Sequence, residues 1–108
     1  MLAQRIRNIL SDRNVSEKRM FGGITFLVNG NMLCSVFEEW LMLRVGKQAE
    51  AEALSKPFAR PLSKTRKMSG FVFIELGGLA GKAALARWLR MARAYVDELP
   101  PKASKGKP

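Results

Sequence analysis

The sequence predicts a two-layer α+β domain in which an antiparallel β-sheet packs against helices. Three observations carry that reading. Asn29-Gly30 separates two apolar runs of strand length, Ile24 to Val28 and Met32 to Phe37, and both turn residues tolerate the positive φ that a two-residue hairpin needs. Two further apolar runs, Trp40 to Val45 and Phe71 to Leu76, follow along the chain. Helical periodicity is confined to the two flanks and one short central segment. Strands in series with helices before and after favour α+β over an alternating parallel sheet.

The elements follow in order. Leu2, Ile6, Ile9 and Leu10 recur at helical spacing, with Gln4, Arg5, Arg7 and Asn8 between them, so residues 2–10 read as a short amphipathic helix. Asp12 to Ser16 is polar and turn-like. The Asn29-Gly30 hairpin comes next, then Glu38-Glu39, a poor sequence for a primed turn, before the strand at Trp40 to Val45. Gly46 breaks the strand pattern. Lys47 to Leu54, rich in Ala, Glu and Gln, reads as a helix ended by Lys56-Pro57. Residues 57–69 hold two prolines and the cations Arg60, Lys64, Arg66 and Lys67, a polar connection with room for an edge strand. After the strand at Phe71 to Leu76, residues 79–98 form a long helix stopped by Leu99-Pro100-Pro101. A single domain over 1–101 is expected, with a basic flexible tail over 102–108. There is no internal repeat.

Pairing Val28 with Asn31 across the hairpin sorts the side chains into two faces. One holds Thr25, Leu27, Met32, Cys34 and Val36, joined by Leu41, Leu43 and Val45 if Glu38-Glu39 is also a two-residue turn. The helices are expected there. The other holds Ile24, Phe26, Val28, Leu33, Phe37, Trp40 and Met42, diluted only by Asn31, Ser35 and Arg44. A sheet with one wet face should alternate apolar and polar residues, and this one does not. A contiguous apolar patch left over marks a partner surface. Self-association through Ile24, Phe26, Leu33, Phe37, Trp40 and Met42, giving a homodimer, is the expectation. The alternative is that residues 57–69 and the N-terminal segment fold over that face.

Composition removes several function classes. At 108 residues and 47% hydrophobic, the chain suits one core and not a disordered state. It has no histidine, which excludes histidine acid–base catalysis and histidine metal ligation. Cys34 is the single cysteine, so no intrachain disulfide forms and a reducing, cytoplasmic setting is expected. No apolar run approaches a membrane span and the N-terminus does not read as a signal peptide, so no membrane partner is expected. Net charge is +10, and residues 82–108 alone carry seven basic and two acidic groups.

Four motifs bear on chemistry. Gly77-Gly78-Leu79-Ala80-Gly81-Lys82 sits between a strand and a helix, the context of a phosphate-binding loop. Its spacing fails: Leu76 stands where the first glycine belongs, and Ala83 where a Ser or Thr would hold magnesium. A flexible turn feeding a helix is the simpler reading. In Arg19-Met20-Phe21-Gly22-Gly23, paired glycines between apolar residues suggest a tight bend or a close approach. On the last helix Leu85, Trp88, Leu89, Ala92 and Val96 share one face, while Lys82, Arg87, Arg90 and Arg93 gather on the other. Such a basic face either contacts nucleic-acid phosphates or simply stays solvated. Cys34 falls among apolar residues and reads as a buried core thiol. The carboxylates form no metal cage or acid–base pair, so no catalytic residue, metal or cofactor is expected.

From Lys18 onward the chain resembles the N-terminal domain of the TfoX/Sxy family. The match is carried by Arg19-Met20-Phe21-Gly22-Gly23, Phe26, Asn29-Gly30, Met32 and Leu41-Met42-Leu43-Arg44-Val45. It continues through Pro57-Phe58, Met68-Ser69-Gly70-Phe71-Val72-Phe73-Ile74, Leu85-Ala86-Arg87-Trp88-Leu89 and Leu99-Pro100-Pro101-Lys102. The resemblance implies a secretion-chaperone-like α+β fold in which dimers are frequent, in a family of regulators of DNA-uptake competence. It implies a stand-alone short form without the family's second domain, and it transfers no catalytic residue. The leading expectation is therefore a non-enzymatic, regulatory protein-interaction module. The second is a nucleic-acid-binding accessory protein using Lys82, Arg87, Arg90 and Arg93.

Overall fold

The computed structural model describes residues 2–20, 22–38, 40–61 and 70–101. Helix α1 (Leu2–Ile9) leads into strands β1 (Val15–Met20), β2 (Gly23–Val28), β3 (Asn31–Val36) and β4 (Trp40–Arg44). Helix α2 (Lys47–Leu54), strands β5 (Ala59–Pro61) and β6 (Phe71–Glu75), a 3₁₀ turn (Leu76–Leu79) and helix α3 (Lys82–Val96) complete the order. The strands form one antiparallel sheet in the order β1-β2-β3-β4-β6-β5. The α+β expectation holds. The basic tail 102–108 and residues 62–69 of the polar connection lie outside the described residues.

Two of the expected turns form as read. Asn29 and Gly30 take φ of 53° and 82°, and Val28 faces Asn31 across the hairpin. Val36 faces Leu41 and the Phe37 N–H donates to the Trp40 carbonyl at 3.0 Å, the pairing that the expected two-residue connection requires, although Glu39 itself lies outside the described residues. Residues 15–20 differ from expectation. The stretch read as a polar turn gives way at Val15 to a strand, Val-Ser-Glu-Lys-Arg-Met, whose four central residues are exposed. An edge strand pairs on one side only and tolerates charge there, so it shows no apolar alternation to read.

The larger difference is a β-bulge. Leu27 faces Met32, but Phe26 faces Cys34, so Leu33 is an extra residue in β3. A bulge aims two successive side chains the same way and reverses the facing of everything beyond it. Leu33 and Cys34 are accordingly both buried. Ile24, Phe26, Val28 and Leu33, expected opposite the helices, turn toward them. Thr25, Leu27 and Met32 move to the other side, while Cys34, Val36, Leu41 and Leu43 keep the face expected of them.

One contiguous core fills the space between the sheet and all three helices. Phe26, Val28, Leu33, Leu41, Leu43, Val72 and Ile74 supply its sheet side, and Ala3, Ile6, Ala53, Leu85, Trp88, Leu89, Ala92 and Val96 its helix side. The five α3 residues are the stripe that periodicity predicts. Each fully buried aliphatic side chain among them is worth about 1.5–3 kcal/mol relative to exposure. Polar contacts tie the helix layer together. Arg5 donates to the Leu79 carbonyl at 2.6 Å, Arg7 pairs with Glu17 of β1, and Arg93 of α3 pairs with Asp12 at 2.9 Å. No helix among the described residues is long and apolar enough to cross a membrane.

Candidate functional site

Two surfaces stand out, one on each layer. The first is the sheet face away from the helices, over which no described helix lies. Alternation from the observed register places Met20, Leu27, Met32, Met42, Phe71 and Phe73 there, all half-buried. Trp40 stands among them at 44% exposure. Its ring stacks on Phe73 with centroids 4.7 Å apart and planes 5° from parallel, an arrangement worth about 0.5–1.5 kcal/mol beyond area burial. The floor beneath these long side chains is polar and closed. Thr25 and Ser35 face each other across β2 and β3, are both fully buried, and share a 2.7 Å hydroxyl–hydroxyl bond.

The six residues expected to self-associate divide between the two faces. Phe37, Trp40 and Met42 lie on the open face. Ile24, Phe26 and Leu33 do not: the bulge carries them to the helix side, where Phe26 and Leu33 are 1% and 0% exposed and Ile24 packs against the core. Leu27, Met32, Phe71 and Phe73 take their place on the open side. No sequence signal marked the first two, because the bulge lies inside an unbroken apolar run.

The second surface is a groove of about 1190 Å³ in the helix layer, between α2, the chain at Lys56–Phe58, the 3₁₀ turn and α3. Trp88 and Met91 lie along it, with Ala49, Ala84 and Ala94 as small neighbours, and Lys47, Lys56, Arg87 and Arg90 supply four cations. Glu52 and Glu98 also line it. At one end Phe58 is 46% exposed and holds a φ of +73°, a costly left-handed conformation for an aromatic residue. The Glu75 N–H donates to its carbonyl at 2.9 Å. Its ring occupies the space above Gly77 and Gly78, where an added Cβ would lie 2.5 and 2.8 Å from Phe58 atoms. Those glycines serve close packing within a 3₁₀ turn that feeds α3. At the other end Gly46 plays the same part against Tyr95.

Of the four expected α3 cations, Lys82, Arg87 and Arg90 are exposed. Arg93 is not free. Its Nη1 pairs with Asp12 at 2.9 Å and its Nε with Asp97 at 3.1 Å, leaving the side chain 19% exposed. The Arg93 guanidinium in turn holds the Asp12 carboxyl below the usual aspartate range, and Arg7 does the same to Glu17. Cys34 is buried, as expected, and burial pushes its thiol up, away from the reactive thiolate. In the Arg19–Gly23 motif, Gly23 lets β2 lie against the Val36 carbonyl, where a side chain would collide.

Residues 10–95 match the family of the TfoX N-terminal domain. The chain belongs to that family. The TfoX N-terminal domain match spans every strand of the sheet, α2 and nearly all of α3, and therefore both surfaces just described. Neither curated proteins nor solved structures give a match. No group of three potential metal-ligating side chains occurs among the described residues.

Proposed function

We propose that this TfoX N-terminal domain is a non-enzymatic regulatory module that acts through protein contacts and pairs with a second copy of itself across the open sheet face. The observation that carries the reading is the exposed Trp40–Phe73 stack set among Leu27, Met32, Met42 and Phe71 on the layer without helices. Aromatic and methionine side chains in a contiguous patch are what the centre of a protein interface is made of. A second copy suits it because a mostly apolar patch with its charges kept to the margins can bury itself against its own copy about a two-fold axis. Lys18 stands near one side of the face, on β1, and the Glu75–Arg60 pair near the other. The lack of histidine and the buried Cys34 support the non-enzymatic part, and membership of a competence-regulator-like family supports the regulatory part.

Sedimentation velocity across a wide concentration range tests the pairing. A reversible dimer is expected, which Met42→Glu converts to a monomer with unchanged circular dichroism. A monodisperse monomer at the highest concentration refutes it. A second reading, a nucleic-acid-binding accessory protein, draws on Arg87 and Arg90 being exposed in the same groove as Lys47 and Lys56. It is the weaker one because Arg93 is committed to Asp12 and Asp97. Under it, Arg87→Gln with Arg90→Gln lowers affinity for DNA or RNA and flattens its salt dependence.

A further inference from the structure

We propose that the groove between α2 and α3 receives an acidic amphipathic helix of a partner protein, at a site separate from the sheet face and independent of whether that face pairs.

Size is the first argument. Small-molecule pockets run to roughly 300–1,000 Å³ and bury most of their ligand, whereas this groove spans about 1190 Å³ and is open to solvent. Its lining on α3 runs from Ala84 to Tyr95, about 16 Å at 1.5 Å per residue, or three turns of a docked helix. The floor is the second. Ala49, Ala84 and Ala94 flank Trp88 and Met91, and small side chains at such points let helix axes approach to about 8–10 Å. Phe58, exposed at one end and held in a strained conformation by Gly77, Gly78 and Glu75, supplies a fixed aromatic contact. Strain of this kind persists where the surroundings enforce it, and it concentrates at binding sites.

Charge selects the partner. Lys47, Lys56, Arg87 and Arg90 form no ion pair with any described residue, so Asp and Glu on the flanks of an incoming helix find four unpaired cations. The same charges could draw a phosphate backbone. Glu52 and Glu98 stand in the groove as well and repel an unbroken row of phosphates, while a helix can meet them with a Lys or Arg of its own. Together with the apolar floor, that favours an acidic helix with an apolar stripe over nucleic acid.

The test is selection from a displayed library of random peptides against the full chain. The expected winners carry apolar residues at i, i+4 and i+7, flanked by Asp and Glu, and become helical on binding. In a Trp40→Phe background, Trp88 is the only tryptophan and its emission should shift as these peptides bind. Ala94→Trp, which plugs the groove from an exposed position, and the double variant Arg87→Glu/Arg90→Glu should each weaken binding at least about tenfold. The two changes act by different means, so misfolding of one leaves the other as a test. Basic or extended winners, no winners, or binding that survives both variants overturns the proposal. Tight, salt-dependent binding of a single-stranded oligonucleotide, lost with Arg87 and Arg90 and unmatched by any peptide, overturns it in favour of nucleic acid.

Discussion

Gly46 is where the sheet hands the chain to the helix layer, and replacing it with alanine isolates one geometric demand. Its φ of 86° and ψ of 156° lie in a region open essentially to glycine, costing other residues about 1–3 kcal/mol. An added Cβ would also lie 2.5, 2.7 and 2.9 Å from three atoms of the Tyr95 ring, closer than real contacts allow. The Tyr95 backbone is fixed within α3, and the Arg44 guanidinium sits 5.6 Å from the ring centre. Overpacking of this sort adds about 1–3 kcal/mol. Gly46→Ala should therefore cost roughly 2–6 kcal/mol, a large part of the 5–15 kcal/mol typical of a whole domain. Urea unfolding followed by circular dichroism measures it. Gly81→Ala is the control, because Gly81 has ordinary extended backbone and nothing within 4 Å of its Cβ position; it should change stability by no more than about 0.5 kcal/mol. A loss at Gly46 below about 1 kcal/mol, or equal losses at both sites, would show that neither the backbone angle nor the Tyr95 contact constrains the fold.

Three further outcomes follow from the same coordinates. Thr25→Val strands the buried Ser35 hydroxyl and should cost about 1–3 kcal/mol, whereas adding Ser35→Ala should cost less than the two single changes summed; a double-mutant cycle in urea decides this. Asp12 and Glu17 both have lowered pKa values, so their ion pairs stabilise the fold above the usual carboxylate range. That stabilisation is lost as pH falls through the lowered values; urea midpoints should drop between about pH 5 and pH 2, and Arg93→Gln should remove the Asp12 share of the drop. Cys34, buried with its pKa raised, should react with a thiol reagent no faster than the protein unfolds; rapid labelling of the native state would contradict its placement.

Local chemistry was legible where it acts locally. Asn29-Gly30 turns as its side chains and φ preferences require, and Leu85, Trp88, Leu89, Ala92 and Val96 are buried as a helical stripe because no competing period crosses them. The bulge at Leu33 was not legible. Met-Leu-Cys-Ser-Val is apolar enough on both sides that a one-residue insertion changes no pattern, yet it exchanges Phe26 and Leu33 for Leu27 and Met32 on the open face. Strand β1 hid for the opposite reason, since Ser16 to Arg19 is polar throughout and gains its strand state from β2. The groove was illegible altogether. Phe58, Gly77, Trp88 and Lys47 converge only through tertiary folding, and the Gly77-Gly78 pair could not announce an aromatic ring some twenty residues earlier as its cause.

The two rims of the sheet constrain how copies of this protein can join. On one side β1 presents Ser16, Glu17, Lys18 and Arg19 to solvent. On the other, β5 is three residues long and ends on Pro61, which has no amide hydrogen to offer a newcomer. Both rims therefore carry features that disfavour the addition of another strand. A pair that stacks its layers closes on itself where an extended ribbon would go on adding copies.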